Sequence, residues 1–231
     1  QPGSSVKPFL YELAFEGGLR PGDMIEDTPL FTLGRYAPRN YDNSFHGPVS
    51  LREALANSYN IPAVRLIQRV GIDSFLLRLR EVGLSSLRGT ADDYGLALAL
   101  GNAEVSLLDL TSAYALLARG GVWKPVRSLE SDPRLPGVRV TDHAATYLVT
   151  HVLSDNGARA HAFGMNSPFS LPFSFAAKTG TTKDYRDNWA MGYTPRWTIG
   201  VWVGNFDGRP MRRVSGITGA GPLLRDAAMA V

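Results

Sequence analysis

The hydrophobic pattern of this chain changes period once, near residue 171, and that change restricts the fold more than any other feature. Ahead of it, apolar residues recur at helical spacing: Val6, Phe9, Leu10, Leu13 and Ala14 mark a helix that Gly17-Gly18 stops. Beyond it, residues 173–182, 188–194 and 197–205 are rich in aromatic and β-branched side chains and are broken at Thr194-Pro195. These three segments read as strands, the last two as a hairpin, with a final helix after Gly221-Pro222. The plan is α+β: a helical subdomain over 19–170, then an antiparallel sheet and closing helix over 171–231, flanked by the first and last helices. A length of 231 residues suits a single domain with one sizeable core.

Local signals fix several boundaries. A proline ring clashes with the carbonyl four residues back, so Pro8 belongs to a first helical turn and the helix must start near Ser4 or Ser5. That puts Ser4 at a helix N-terminus, where free N–H groups and the helix dipole favour negative charge. Residues 19–49 read as loop with short extended pieces. Ser50-Leu51-Arg52-Glu53 is a capping box, and Pro62 opens a helix running to Gly71. Ser58-Tyr59-Asn60 therefore falls at a junction between two helices. Further helices are expected over 73–82, 106–119 with Ser106 as cap, and 142–155 with Thr141 as cap.

Composition narrows the chemistry. With no cysteine there is no disulfide scaffold, no thiol nucleophile and no cysteine-bound zinc. The net charge of +3 comes from scattered arginines such as Arg52, Arg65, Arg88, Arg119 and Arg159, read as a solvated basic surface. No basic run interleaves with aromatics as a nucleic-acid groove would, and no stretch of about 18 apolar residues spans a membrane. The opening Gln1-Pro2-Gly3-Ser4 reads as a piece of a longer protein. The four histidines have neither nucleophile-elbow nor zinc-motif spacing, and read as surface or capping residues.

Three short motifs carry chemistry: Ser4-x-x-Lys7, Ser58-x-Asn60 and Lys178-Thr179-Gly180. From this composition, about 0.3 Ser-x-x-Lys, about 0.7 Ser-x-Asn and about 0.02 Lys-Thr-Gly are expected by chance. The ordered set, not either serine motif alone, is the signal. Ser154-Asp155-Asn156 also fits the second motif, but it ends a predicted helix ahead of Gly157, where asparagine and glycine accept the left-handed conformation. Ser58 is preferred because a loop on a rigid scaffold presents such groups better.

Each residue has a task. Serine needs an adjacent base, and Lys7 lies one helical turn from Ser4, whereas Ser5 points elsewhere. Lys7 acts as a base only when neutral, which burial and a second cation, Lys178, would favour. Lowering a lysine pKa by about three units costs roughly 4 kcal/mol that the fold must supply. Ser58 can relay a proton between the lysines, and Asn60 can hold a substrate amide. The backbone N–H of Ser4 and one from the Lys178 strand can form an oxyanion hole. Neither a metal nor a cofactor enters this scheme.

The chain resembles the transpeptidase domain of bifunctional class A penicillin-binding proteins, of the 1C type. The resemblance runs through residues 2–9, Gly47 to Ser58, Asn60 to Val64, Ala99-Leu100-Gly101 with Glu104-Val105-Ser106, residues 110–114, and Lys178-Thr179-Gly180-Thr181-Thr182. It implies the fold shared by penicillin-binding proteins and serine β-lactamases, without the strands that precede the nucleophile helix in that family. It implies a D-alanyl-D-alanine transpeptidase with Ser4 as nucleophile, Lys7 as base, and Ser58, Asn60 and Lys178 completing the catalytic set. The Ser4 and Thr181 N–H groups would form the oxyanion hole, and Thr179, Gly180, Thr181 and Thr182 the substrate-binding strand, with the two hydroxyls of Thr179 and Thr181 on the substrate carboxylate. Expected partners are donor and acceptor peptidoglycan stem peptides and β-lactams, with a fused glycosyltransferase domain and membrane anchor in the full-length protein. The expected place is the periplasmic face of the inner membrane in a bacterial envelope. A D,D-carboxypeptidase, a serine β-lactamase or a non-catalytic penicillin sensor shares the same motifs.

Overall fold

Helix α1 (Lys7–Glu16) forms the centre of the molecule, continuing a 3-10 turn over Gly3–Val6 with Pro8 in its first turn. It is buried nearly all round, with Phe9, Leu10 and Tyr11 fully enclosed, as befits a core helix and not a surface one. In this computed structural model, residues 1–30, 37–212 and 214–231 are described. Of the loop expected over 19–49, residues 31–36 lie outside that set.

The extended pieces of that loop are strands β1 (Met24–Asp27) and β2 (Gly47–Ser50), paired antiparallel with Ile25 opposite Val49. Ser50 and Glu53 make the expected capping box for α2 (Leu51–Ala56). Helix α3 (Asn60–Val70) begins after a break at Ser58 and Tyr59, and α4 (Ile72–Glu81) follows directly. A short α5 (Ala91–Tyr94) and a 3-10 stretch over Gly95–Leu100 lead to α6 (Leu107–Ala118), capped by Ser106 as expected. The two-residue strands β3 (Val122–Trp123) and β4 (Val138–Arg139) pair ahead of α7 (His143–Leu153).

Helix α7 corrects one expectation. Asp142, not Thr141, is its cap: the Asp142 carboxylate accepts from the Ala145 N–H at 2.9 Å. Thr141 is buried one residue earlier, its hydroxyl 2.9 Å from that of Thr146. Two adjacent residues could each cap, and the one with its backbone at the helix entrance does so.

After α8 (Ala160–Phe163), the three predicted strands appear as β5 (Ala176–Thr181), β6 (Asp187–Tyr193) and β7 (Thr198–Gly204). They form one antiparallel sheet in that order, with Lys178 opposite Met191 and Met191 opposite Gly200. One sheet face, with Ala176, Trp189, Met191 and Tyr193, joins the large core around α1. The other, with Ala177 and Ala190, packs on Phe169, Leu224 and Ala228, the last two from helix α9 (Gly221–Ala230). The sheet is thus covered by helices on both faces. Among the described residues, no helix is long and apolar enough to cross a membrane.

The helical core also encloses charge. Arg78 of α4 pairs with the fully buried Glu12 of α1, with Glu16 at 2.8 Å and with Glu81 at 3.3 Å. Burial pushes the Glu12 carboxyl up to about 7 against the pull of Arg78.

Candidate active site

The three motifs come from three elements that meet at the start of α1. Ser4 sits in the 3-10 turn, half-buried, one turn ahead of Lys7. The first N–H groups of a helical turn have no acceptor within it, so the Ser4 N–H is free to bind outward. Ser5 is fully buried and its hydroxyl has no partner among the described residues. A Cβ on Gly180 would come within 2.4 Å of the Ser5 hydroxyl, so Ser5 packs under the sheet and Ser4 is left at the surface of the cleft.

Backbone contacts hold the turn from two sides. Gly3 donates to the carbonyl of Gly101 at 3.3 Å, and Gly101 has φ +70 with its α-carbon pressed on Gly3. A Cβ on Gly101 would lie 2.2 Å from the Gly3 oxygen; a Cβ on Gly3 would lie 2.8 Å from the Thr181 oxygen. Neither approach admits a side chain. The Ala99-Leu100-Gly101 segment thus serves the site through its backbone.

Lys7 is fully buried, and its Nζ donates to the carbonyls of Ser58 at 2.6 Å and Tyr59 at 2.9 Å and to Asn60 Oδ1 at 2.7 Å. Burial first, then the positive charge of Lys178, holds Lys7 well below the usual lysine range, while the buried Asp27 pulls the other way. An ammonium would satisfy all three acceptors; a neutral amine satisfies two and keeps a lone pair for a proton. Ser58 presents its carbonyl to Lys7 because its backbone is left-handed, φ +62, at the junction between α2 and α3.

Lys178 reaches the same residue from the sheet. Its Nζ donates to Ser58 Oγ at 2.7 Å and to the Thr179 carbonyl at 2.9 Å. Burial, and then the Arg159 guanidinium, bring Lys178 down to about 7. Arg159 corrects its reading as a solvated surface residue: it is buried, 5.7 Å over the Phe169 ring, with Nη2 donating to the Phe175 carbonyl at 3.4 Å. An arginine in mixed sequence shows no local sign of this enclosure.

Strand β5 is an edge of its sheet. Thr182 N–H donates to the Asp187 carbonyl, so the antiparallel ladder turns the N–H and C=O of Thr179 and Thr181 to the unpaired edge. That edge faces the turn that carries Ser4, where the Thr181 carbonyl lies against Gly3. The Thr181 hydroxyl accepts from the Gly216 N–H at 2.9 Å, which leaves its own hydrogen to donate. Gly180 packs on the Pro2 carbonyl and admits no side chain there. Thr182 is turned to β6, its hydroxyl donating to Asp187 Oδ2 at 3.2 Å and accepting from the Asp187 N–H at 2.9 Å. A cavity of about 850 Å³ opens beside it, lined by Glu104, Thr182, Asp187, Trp189 and Trp202. It adjoins the motifs through Thr182 and does not contain Ser4, Lys7, Ser58 or Lys178.

One sequence reading is adjusted, that of His46, and another gains detail. Asn60 is partly engaged within the protein: Oδ1 accepts from Lys7 Nζ, and Nδ2 places one hydrogen on the Arg39 carbonyl at 2.7 Å and keeps the other. His46 is not a surface residue: its ring is largely covered and lies 2.6 Å from Asp27. His161 is exposed as expected, its Nδ1 2.9 Å from the Tyr59 hydroxyl. The alternative second motif is structural, but neither Asn156 nor Gly157 takes the left-handed backbone expected there. Ser154 ends α7, its hydroxyl on the Thr150 carbonyl at 2.9 Å, and Asp155 pairs with Arg52. Among the described residues, no group of three or more His, Cys, Asp or Glu side chains could hold a metal ion. The arrangement gathers two buried lysines, a serine hydroxyl between them and outward backbone N–H groups, the kinds of group that proton transfer and oxyanion binding require.

Residues 1–220 match the model of the penicillin binding protein transpeptidase domain. The chain is 38% identical to penicillin-binding protein 1C of Escherichia coli over 96% of its own length and 28% of that protein. It is 32% identical to penicillin-binding protein 4 of Bacillus subtilis, over 88% of this chain and 34% of the other. The structure of the PonA1 protein from Mycobacterium tuberculosis in complex with penicillin V superposes with a TM-score of 0.84, at 25% identity over 99% of this chain and 68% of that one. The chain spans about a third or less of these curated relatives.

Proposed function

Because the chain belongs to the penicillin-binding protein transpeptidase domain family, we propose that it is the acyl-transfer domain of a peptidoglycan-cross-linking enzyme. The observation that carries this reading is the pair of buried lysines converging on Ser58, Lys7 of the pair lying one turn from Ser4. Ser4 attacks the carbonyl of the penultimate D-alanine of a donor stem peptide while neutral Lys7 takes its proton. The oxyanion that forms lies between the N–H groups of Ser4 and Thr181. The proton passes from Lys7 through the Ser58 hydroxyl to the departing terminal D-alanine, and Lys178 holds Ser58 in line and adds positive charge near the substrate carboxylate. Thr179 and Thr181 bind that carboxylate. An amine from an acceptor stem then attacks the acyl-Ser4, with Lys7 taking the proton of the amine and Ser4 leaving as a hydroxyl.

A β-lactam acylates Ser4 by the same path, its opened ring remaining attached. In the full-length protein this domain acts on the outer side of the bacterial inner membrane, beside a glycosyltransferase domain and a membrane anchor. The test is labelling with a fluorescent penicillin followed by mass analysis of the modified peptide. The adduct is expected on Ser4, decaying slowly, and absent from a Ser4→Ala variant. Equal labelling of that variant overturns the assignment of the nucleophile, and rapid turnover of the drug replaces the transpeptidase with a β-lactamase.

A further inference from the structure

A string of buried polar contacts runs from Lys7 into the segment between β1 and β2, away from the cleft. Asn60 Oδ1 accepts from Lys7 Nζ, and the Asn60 N–H donates to Asn40 Oδ1 at 2.7 Å, as does that of Ile61 at 3.3 Å. Asn40 Nδ2 in turn donates to both carboxylate oxygens of Asp27 at 2.8 Å and to the Ser44 carbonyl at 2.8 Å. Asp27 is fully buried and Asn40 nearly so. The His46 N–H donates to Asp27 Oδ2 at 3.1 Å, and its Nδ1 lies 2.6 Å from the same oxygen. The other His46 nitrogen is 3.1 Å from Asp42, and the ring stacks on Tyr59 at 4.2 Å.

The polarity of this string is fixed at its far end. A carboxylate can only accept, so Asp27 claims the NH2 of Asn40 and turns Asn40 Oδ1 towards α3. There it caps a helix whose own N-cap residue, Tyr59, makes no side-chain cap. The Arg39 carbonyl, next in the chain to Asn40, claims the NH2 of Asn60 and turns Asn60 Oδ1 onto Lys7. Rotating either amide would set donor against donor at a buried contact, which is costly.

We propose that Asp27, acting through Asn40, is a positioning residue for the Lys7 base: it anchors the backbone of Asn60, whose side-chain oxygen meets Nζ, and sets a buried negative charge against the positive charge of Lys178. This rests on the reading of Lys7 as the base. Asp27 stabilises the ammonium that Lys7 becomes once it has taken the Ser4 proton, and so opposes the burial and the Lys178 charge that favour the amine. The other charged and titratable groups around the pair are His46 and Asp42 beside Asp27, Tyr11 of α1, Tyr59 with His161 and Glu53, and Lys178 with Arg159 behind it.

The test is the second-order rate constant for acylation by a penicillin, measured against pH, for wild type, Asp27→Asn and Asn40→Ala, with thermal melting of each. Asp27→Asn keeps an acceptor for Asn40 and removes the charge. Lys7 then loses its proton at lower pH, so the acid limb of the profile is expected to move to lower pH. Asn40→Ala is expected to slow acylation about tenfold or more across the whole profile, because Asn60 loses its anchor. A folded Asp27→Asn protein whose acid limb coincides with that of wild type overturns the proposal. If Asp27→Asn does not fold, Asn40→Ala decides: acylation at the wild-type rate overturns the proposal, and the tenfold loss with a retained melting transition supports it. Absence of wild-type labelling at Ser4 is a different result, and it overturns the proposed function itself.

Discussion

Lys178 and Ser58 stand 120 residues apart in the chain and meet at 2.7 Å, ammonium to hydroxyl. The contact ties the sheet to the α2–α3 junction at the residue whose carbonyl also holds Lys7. Ser58 is therefore used at both ends, its hydroxyl towards Lys178 and its backbone towards Lys7. Removing the hydroxyl as Ser58→Ala, or as Ser58→Gly, which suits the left-handed backbone, is expected to slow acylation about 10²- to 10³-fold. A time course of penicillin labelling reads the loss, and a near-wild-type rate in both variants would remove Ser58 from the proton path.

Lys178 is expected to act against stability. Its pKa is lowered to about 7, so at acid and neutral pH the folded state carries a buried charge that the unfolded chain solvates. The folded protein binds fewer protons than the unfolded one between about 7 and about 10.4, and stability rises with pH across that window. Lys178→Met should abolish acylation while stabilising the fold by about 2 kcal/mol near pH 6, after two hydrogen bonds are lost. The gain should shrink by pH 9. Urea midpoints at the two pH values check this, and a variant less stable than wild type at pH 6 contradicts it.

Gly101→Ala forces a methyl group to 2.2 Å from the Gly3 oxygen at a left-handed backbone position. Strain and overlap together should cost about 2–4 kcal/mol, and the displaced turn carries Ser4 with it. Both the melting temperature and the acylation rate are expected to fall. A rate that survives a lowered melting temperature would show that the Gly3–Gly101 approach serves the fold alone.

Arg78→Met leaves Glu12 buried without its principal partner, a loss of about 3–5 kcal/mol at neutral pH. The carboxyl is already raised to about 7, so mild acid neutralises it readily. The destabilisation should therefore be smaller at pH 5 than at pH 8, as read by denaturation midpoints.

What the sequence revealed and what it hid follow from the range of the interactions. Ser4 and Lys7 lie one turn apart, Pro8 fixes that turn, and Ser50 caps its own helix through Glu53: each is settled within a few residues. The β-rich segments are legible because both sheet faces are buried and their composition reflects it. The Asp27–Asn40–Asn60 string joins residues across gaps of 13 and 20 positions with no periodic pattern. Asn40 looks like a loop asparagine until α3 is placed against it. The burial of Arg159 and the Gly3–Gly101 approach likewise exist only once the helices and the sheet have come together. The strands β1 and β2 were visible only as extended pieces, because each is four residues long and Pro48 interrupts the second.

The turn that carries Ser4 is gripped between Gly101 on the helical side and Thr181 on the sheet side. Parting the helices from the sheet would pull the nucleophile away from one jaw or the other. Space for a bulky ligand must then come from the rim of the cleft, because the floor cannot move without shifting Ser4. The floor of the site behaves as a fixed anvil, and adaptation to different substrates falls to its walls.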